Sequence, residues 1–397
     1  MNWNKLKKQF ENELTDNILH YWVKEVYDID RKTFFGRITN EGEKFQEAPL
    51  SAVLISRIMW TFAAAHRVYP TAIYKKMADE AFRILMEIFW DKENGGIFWS
   101  VSPNGIVLDG KKQFYAEAFF MYALSEYYLA FDDEKAKQMA VSMFMLMEKY
   151  AFDNEFGGYI EANTKDWKET DDQRLSPKDL NVKKSMNTHL HILEAYTNLY
   201  RIYKDEQVKQ KLEHLIRVFI DKIIDHKTGH LILFFEKNWT IRSEIDSYGH
   251  DIEATWLLCE AAEELGKEEL IEQVNHIAIK MAKVAAAEGL DKSGGMFYEK
   301  EGEHIKTQFD WWPQAEAVVG FFNAWNISKN DDYLNAALQS WEFIQKCLID
   351  KKNGEWFWGV NSELIPLETD KVSSWKAPYH NARMCLEMIR RIEILNS

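Results

Sequence analysis

Two histidine and glutamate pairs stand three residues apart, each near the start of an apolar stretch. His191 precedes Glu194, and His250 precedes Glu253. In a helix this spacing places both side chains on one face, so each glutamate can orient or charge its histidine. An ordinary surface pair has the same spacing, but the residues that follow His250 are mostly apolar, which favours a buried pair. Because histidine titrates near neutral pH, the two pairs predict acid–base chemistry.

Further polar and aromatic residues stand at the beginnings of similar apolar stretches. They are Arg57, Tyr115, Glu117, Asn187, His189, Asp251, Asp310, Trp311, Trp312, Glu316, Trp375, Tyr379 and His380. Buried polar groups are costly without partners, so we expect this set to converge on one site. Flat aromatic rings pack against the C–H faces of sugars, and the polar groups bind hydroxyls, so the mixture predicts a carbohydrate ligand. Trp311, Trp312 and Trp375 are the candidates for stacking.

Several other chemistries lack their sequence signals. There is no HExxH or comparable metal-ligand spacing, and no GxGxxG, P-loop or GxSxG motif, so no metal or nucleotide site is expected. The three cysteines are widely spaced within apolar helical patterns, which is typical of core residues. A net charge of −14 argues against nucleic acid or an anionic membrane as a partner. A neutral ligand fits this charge better.

A short phrase in which Asp is followed by Gly and then by aromatic or β-branched residues occurs six times. The copies begin at Asp30, Asp91, Asp153, Asp225, Asp291 and Asp350, roughly one sixth of the chain apart. Asp and Gly favour tight turns, so each phrase predicts a short hairpin. Between phrases lie amphipathic stretches (71–90, 133–150, 205–224, 267–286, 331–349) and nearly wholly apolar ones (49–69, 113–131, 186–203, 249–265, 312–327, 377–395).

Helices that are apolar on every side are buried, so the pattern predicts six inner helices inside six outer ones. We therefore expect an all-α fold, an (α/α)6 barrel of six helical hairpins with short β-hairpin loops at one end. An open solenoid of the same hairpins is the alternative, but no polar capping repeat is present. A single catalytic domain over residues 1–397 follows from closure. The polar segment 163–185 is interpreted as either a lid over one barrel end or a surface excursion.

The sequence shows no signal peptide and no run of 18 apolar residues, so a cytoplasmic, membrane-free protein is expected. Four strings also resemble the cellobiose 2-epimerases of the N-acylglucosamine 2-epimerase superfamily. They are SMNTHLHILEAYTNLY (185–200), GHDIEATWLL (249–258), WWPQAE (311–316) and SWKAPYHNAR (374–383). The last is the most discriminating, because its KAPYHN context is expected of the disaccharide epimerases rather than of the N-acylglucosamine branch. The (α/α)6 fold of this superfamily agrees with the repeat count.

The resemblance implies inversion at C2 of the reducing-end glucose of a β-1,4-linked disaccharide, such as cellobiose, lactose or a mannobiose-like sugar. It implies no cofactor, and we expect a monomer. The reaction would proceed by ring opening, proton abstraction by histidine, formation of a cis-enediol and reprotonation. A weakly acidic C–H needs a base placed against it and stabilisation of the enediolate oxygen, and inversion needs a second proton donor or a rotation.

Roles follow from the matching positions. His250 and His380 would be the acid–base pair, with Glu253 orienting or protonating His250. His191, with Asn187, would bind oxygens of the intermediate, while Arg57, assisted by Tyr115, would polarise the carbonyl or enediolate oxygen. Trp375 would cover the reacting sugar, Trp312 would stack on the distal one, and Glu316 would complete the substrate-binding set.

Three other functions stay open from sequence. One is an epimerase or isomerase of the same superfamily that acts on mannose or an N-acylglucosamine. A second is an (α/α)6 glycoside hydrolase, for which Glu117, Glu253 and Glu316 are the available carboxylates. The third is a non-catalytic helical-repeat protein that binds other proteins, for which the histidines would have no catalytic role.

Overall fold

The six apolar stretches form buried helices that agree with their predicted ranges to within three residues. In the computed structural model, which describes residues 1–396, the helices are α1 (Trp3–Asn12), α2 (Ala52–Val68), α3 (Ala72–Ile84), α4 (Phe114–Phe131), α5 (Glu134–Tyr150), α6 (Met186–Ile202), α7 (Glu206–Val218), α8 (Tyr248–Leu265), α9 (Glu268–Val284), α10 (Trp311–Ser328), α11 (Asp331–Phe343) and α12 (Tyr379–Asn396). The even-numbered helices are the inner ones. Within residues 1–396, no helix is both long and apolar enough to cross a bilayer.

The inner helices close into a ring. Each packs against the next inner helix along the chain, and α12 packs against α2. The odd-numbered helices lie outside, each against its inner neighbour, with α1 against α12. The sequence pattern did not single out α1, whose Leu6 and Phe10 are buried in the core. Closure confirms the (α/α)6 barrel and excludes the solenoid.

Most outer helices widen into π-helical turns at their C-terminal ends, just before the Asp-Gly phrases. The π-helical segments are Glu13–Leu19, Trp22–Val26, Leu85–Phe89, Phe219–Ile223, Ala285–Gly289 and Ile344–Leu348. After five of these six π-helical segments, the next residue pairs in a β-bridge or strand with a residue toward the other end of the phrase, as Trp90 pairs with Ile97. The hairpins that follow the outer helices therefore all lie at the same end of the barrel.

Short strands form a second ring at that end. They are β1 (Tyr27–Asp28), β2 (Thr33–Phe34), β3 (Ile38–Thr39), β4 (Leu50–Ser51), β5 (Ser100–Val101), β6 (Val107–Asp109), β7 (Lys112–Gln113), β8 (Ala162–Asn163), β9 (Lys184–Ser185), β10 (Phe234–Phe235), β11 (Ile245–Asp246), β12 (Glu299–Glu301), β13 (His304–Lys306), β14 (Phe309–Asp310), β15 (Gly359–Val360) and β16 (Asp370–Val372). The strand before each inner helix pairs antiparallel with a strand of the next unit, and β16 pairs with β3. The predicted hairpin loops at one end are confirmed.

The turn phrases attach to the fourth residue of four inner helices. After each phrase, one backbone N–H donates to that residue: Ile97 to Glu117 (3.1 Å), Tyr159 to His189 (2.9 Å), Leu231 to Asp251 (2.8 Å) and Met296 to Gln314 (2.7 Å). Our expectation that Glu117, His189 and Asp251 belong to the sugar site is therefore wrong. Their buried polar atoms are satisfied by the hairpins that close the barrel end.

Buried lysines attach three of the phrases to the strand that precedes the next inner helix. Lys112, Lys184 and Lys371 have fully buried side chains that donate to Asp91, Asp153 and Asp350 over 3.0, 2.7 and 2.6 Å. Lys184 Nζ also donates to the carbonyls of Gly157 and Lys237. Each lysine therefore satisfies a carboxylate and, in two of the three units, backbone carbonyls that would otherwise be buried without a donor.

We expect Lys184→Met to lower the free energy of unfolding by about 3–5 kcal/mol, because it removes the buried cation 2.7 Å from Asp153 and leaves the half-exposed Lys237, 3.9 Å away, as the remaining ion pair. Urea-induced unfolding followed by circular dichroism measures the change. Lys75→Met is the matched control, since Lys75 pairs with Asp79 on the surface with 49% of its side chain exposed. That change is expected to cost at most about 1 kcal/mol. Equal losses in the two variants would contradict the structural role of the buried lysine.

Candidate active site

The strand ring surrounds a cavity of about 570 Å³ at the N-terminal ends of the inner helices. Nine of the ten predicted site residues line it: Arg57, Tyr115, Asn187, His191, His250, Glu253, Trp312, Trp375 and His380. Part of the segment 163–185, from Gln173 to Val182, also borders this cavity. Its position favours the lid interpretation over a plain surface excursion.

His380 is held by the tenth predicted residue, Glu316. Its Nδ1 donates to Glu316 Oε1 over 2.7 Å, and Trp256 Nε1 donates to the other carboxylate oxygen over 3.0 Å. Burial alone would raise the pKa of Glu316, but Arg383 and His380 hold it below its ordinary value. An ionised carboxylate only accepts hydrogen bonds, so the Nδ1 proton of His380 is fixed. Glu316 thus lies behind His380 instead of on the cavity wall, where we had placed it as a substrate ligand.

The protonation state of His380 follows from its burial. Burial lowers the pKa of His380 to about 3, although the Glu316 carboxylate opposes the shift. The imidazole is therefore neutral at physiological pH, with Nδ1 protonated and Nε2 free to accept a proton. This is the arrangement of a base whose tautomer is set by a carboxylate.

The predicted pair of His191 and Glu194 is present in the structure. His191 Nδ1 lies 3.0 Å from Glu194 Oε2, and both side chains are buried. Burial lowers the pKa of His191, while Arg383 keeps the pKa of Glu194 below its ordinary value against the effect of burial. His191 therefore has the same neutral tautomer as His380, with Nε2 free.

The predicted pair of His250 and Glu253 does not form. His250 Nδ1 lies 2.7 Å from Ser247 Oγ, whereas Glu253 Oε1 accepts from Arg383 Nη2 over 2.7 Å. Burial lowers the pKa of His250 to about 3, so this histidine is also neutral. A hydroxyl both donates and accepts, so Ser247 is compatible with either tautomer of His250. The i, i+3 spacing was a misleading signal here, because the glutamate turns toward a cation on α12.

Arg57 faces the cavity from α2 with its outer nitrogens already bonded. Nη1 donates to the Trp375 carbonyl and Nη2 to the Tyr115 hydroxyl, both over 2.9 Å. The guanidinium also lies over the Phe119 ring, 4.4 Å from its centroid. Among the residues described, Arg57 Nε and Asn187 Oδ1 are buried polar atoms without a hydrogen-bond partner. Both residues line the cavity, where a polyhydroxylated ligand would supply partners.

Trp312 packs against both predicted acid–base histidines. Its ring centroid lies 4.5 Å from that of His250 and 5.9 Å from that of His380. The indole approaches α8 at Gly249, where a Cβ atom would lie 2.6 Å from Cη2 of Trp312. Glycine at this position therefore allows the aromatic wall and His250 to lie side by side. Trp375 lines the same cavity and packs near Tyr115, with ring centroids 6.0 Å apart.

Arg383 is the site residue that sequence reasoning missed. Its guanidinium is 2% exposed and bonds Glu194, Glu253 and Glu316 from three inner helices, together with Tyr379. Burial of a charge among carboxylates is a tertiary feature, so helical spacing alone did not reveal it. The available signal was an arginine three residues after His380, near the start of a helix predicted to be buried.

One group of side chains has the composition of a metal site. Glu253, Glu316 and His380 each bring a ligand atom within 4.8 Å of the others. Arg383 Nη2 donates to both glutamates, over 2.7 and 2.6 Å. The guanidinium therefore supplies the positive charge between these two carboxylates.

Fold and site together define an (α/α)6-barrel protein with a histidine-rich, aromatic-walled cavity suited to acid–base chemistry on a sugar. The N-acylglucosamine 2-epimerase (GlcNAc 2-epimerase) family model matches residues 33–383. The cellobiose 2-epimerase of Bacteroides fragilis is 45% identical over 387 residues, covering 97% of this chain and 98% of that relative. The cellobiose 2-epimerase of Dictyoglomus turgidum is 37% identical, with 98% and 99% covered.

A solved structure extends the similarity to the fold. The cellobiose 2-epimerase from Bacillus thermoamylovorans B4167 superposes with a TM-score of 0.94 at 35% identity, covering 98% of this chain and 100% of that one. The chain belongs to the N-acylglucosamine 2-epimerase family. The resemblance found in the four sequence strings is thereby confirmed.

Proposed function

We propose that the protein is an epimerase that inverts C2 of the reducing-end glucose of β-1,4-linked disaccharides, converting cellobiose to glucosyl-mannose and lactose to epilactose. The observation that carries this proposal is the pair of neutral histidines, His250 and His380, which line one cavity and both pack against Trp312. The full-length similarity to proteins named cellobiose 2-epimerase supports the choice of substrate.

In the proposed reaction the sugar ring opens and one histidine removes the C2 proton. His380 is suited to this step because its Nε2 is unprotonated and its ring is fixed by Glu316. The electron pair moves to the C1 oxygen and forms a cis-enediolate. Arg57 directs positive charge toward this intermediate, and Tyr115 directs a hydroxyl toward it. His250 takes the proton of the C1 hydroxyl during ring opening and then returns it to the opposite face of C2, while the proton held by His380 goes to the C1 oxygen when the ring closes. The route moves only protons, so it uses no cofactor.

Glu253 supplies a proton donor to this scheme. Burial, reinforced by the neighbouring Glu316, raises the pKa of Glu253 well above its ordinary value. A raised pKa favours the protonated carboxyl, which can donate to a sugar oxygen during ring opening. His191 and Asn187 line the same cavity and are assigned to the oxygens of the intermediate.

The hydrolase alternative fits this geometry poorly. Hydrolysis needs two carboxylates that flank the glycosidic bond, about 5–5.5 Å apart for retention and more for inversion. Glu117 bonds the Ile97 N–H of a hairpin, and Glu253 and Glu316 have oxygens within 4.8 Å and bond the same nitrogen of Arg383. These carboxylates do not flank a bond placed in the cavity.

Product analysis tests the proposed function. The protein is incubated separately with cellobiose, lactose, mannose and N-acetylglucosamine, and the products are resolved by chromatography. We expect the C2 epimers of the two disaccharides. Turnover confined to a monosaccharide would contradict the proposed substrate, and release of glucose from cellobiose would support the hydrolase.

Trp312→Ala is expected to raise KM for cellobiose about tenfold, because the distal sugar loses a stacking surface that contributes roughly 1.4 kcal/mol. Trp312→Phe retains an aromatic face and is expected to keep KM within about threefold. Steady-state kinetics on cellobiose measures both. An unchanged KM in the alanine variant would show that the distal sugar lies elsewhere.

The proposal also covers the form in which the protein acts. We propose one catalytic domain over residues 1–397 that works as a monomer in the cytoplasm. Contacts between distant parts of the chain support one domain, because β3 pairs with β16 and α1 packs against α12.

A further inference from the structure

The buried guanidinium of Arg383 connects three glutamates that come from α6, α8 and α10. Nη2 donates to Glu253 Oε1 over 2.7 Å and to Glu316 Oε1 over 2.6 Å. Nη1 bonds Glu194 Oε1 and the Tyr379 hydroxyl. A single planar group thus determines where three carboxylates lie.

Aromatic rings fix the guanidinium in turn. Its central carbon lies 4.7 Å from the Trp256 ring centroid and 4.4 Å from that of Tyr379. Trp256 also donates to Glu316 over 3.0 Å. The planar fork therefore has a defined orientation as well as a defined position.

Two of the three glutamates are those that hold the histidines. Glu316 Oε1 accepts from both His380 and Arg383, whereas Glu194 pairs with His191 through Oε2 and with Arg383 through Oε1. We propose that Arg383 is a positioning residue for the epimerase reaction: it fixes Glu316 and Glu194 as acceptors, and thereby keeps Nε2 of His380 and His191 free toward the sugar. This inference rests on the function proposed above.

Stability alone accounts poorly for this arrangement. Burying charges costs free energy that apolar side chains of similar volume avoid. The other charged or titratable groups that face the two histidines or Arg383 are Arg57 on α2, Tyr115 and Tyr122 on α4, His250 and Glu253 on α8, and Tyr379 on α12. Of these, Arg57 is the remaining cation, and its outer nitrogens bond Tyr115 and Trp375 instead of a glutamate. The ionised state of Glu316 and Glu194 therefore depends on Arg383.

A second cavity gives separate access to this arginine. It has a volume of about 590 Å³, is lined by residues at the C-terminal ends of inner helices, such as Val68, Glu126 and Arg201, and reaches Arg383. A small ion can therefore approach the position of the guanidinium without crossing the sugar site.

Arg383→Lys keeps the charge but loses the planar fork. We expect kcat for cellobiose to fall about 10–100-fold with KM within about threefold of wild type, as for other residues that orient a catalytic group through its partner. We also expect the acidic limb of the pH–kcat profile to move to higher pH, because carboxylates that lose the fork protonate more readily and release the histidine tautomers. Arg391→Lys is the matched control, since Arg391 lies on the same helix and bonds Glu387 and Asn323.

Chemical rescue provides the second test. Arg383→Ala is assayed with and without millimolar guanidinium chloride, with ammonium chloride as the control ion. We expect guanidinium to restore at least tenfold in kcat and ammonium to restore little. The inference would be overturned if Arg383→Lys had the kcat and pH profile of the wild-type protein. It would also be overturned if both ions rescued Arg383→Ala equally, or if neither rescued a folded Arg383→Ala. Absence of epimerase activity in the wild-type protein would instead overturn the proposed function.

Discussion

His380→Ala is expected to lower kcat for cellobiose epimerisation by about 10⁴-fold while the fold is retained. The variant removes the imidazole whose free Nε2 is proposed to take the C2 proton, and positioned acid–base groups contribute up to this factor. The barrel is expected to survive because Glu316 keeps its bonds to Arg383 and Trp256 when the histidine is lost. Initial rates with cellobiose, together with circular dichroism of the purified variant, measure both effects.

The control for this variant is a histidine outside the cavity. His276 is exposed on the outer helix α9, so His276→Ala is expected to leave kcat within about twofold of wild type. Full activity in a folded His380→Ala would contradict the assigned base. The alternative of a non-catalytic binding protein predicts instead that neither the wild-type protein nor the variant turns over cellobiose.

Arg57→Ala is expected to lower kcat by about 10²–10³-fold, which is the effect of removing one preorganised donor from a developing oxyanion. Arg57 is 3% exposed, and its bonds to Tyr115 and to the Trp375 carbonyl place it against the cavity. The charge on the enediolate oxygen develops in the transition state, so the loss is expected in kcat more than in KM.

Arg67 provides a matched control on the same helix. It lies ten residues further along α2, pairs with Glu126 and has 46% of its side chain exposed. Arg67→Ala is expected to leave kcat and KM within about twofold of wild type. If Arg57→Ala raised KM and left kcat unchanged, the arginine would bind the sugar without stabilising the intermediate.

The sequence predicted the barrel because its signals are local and repeated. Helices that are apolar on every side and six similarly spaced turn phrases were sufficient to separate inner from outer layers. The π-helical turns at 85–89 and 344–348 were not predicted, because they depend on how an outer helix meets its hairpin. The outer helix α1 was missed because its buried face is narrow, with Leu6 and Phe10 in the core.

Within the site as well, contacts between elements decided which predictions from helical spacing were correct. The pair of His191 and Glu194 follows from spacing within one helix and is present, whereas Glu253 turns to Arg383 on another helix. Glu117 and Asp251 were expected to converge on the same site as the other polar residues, although they bond hairpins. The fourth position of four inner helices is polar, and that regularity was the signal that these residues belong to the repeat.

The central claim is that C2 is inverted by proton transfer through histidines. The most direct measurement is the reaction of cellobiose in D2O, with the epimerised disaccharide isolated and analysed by NMR and mass spectrometry. We expect glucosyl-mannose with deuterium at C2 of the reducing-end sugar, because the proton that returns comes from a histidine that exchanges with solvent. An epimer with hydrogen retained at C2 throughout the reaction would contradict the proposed exchange through His250 and His380.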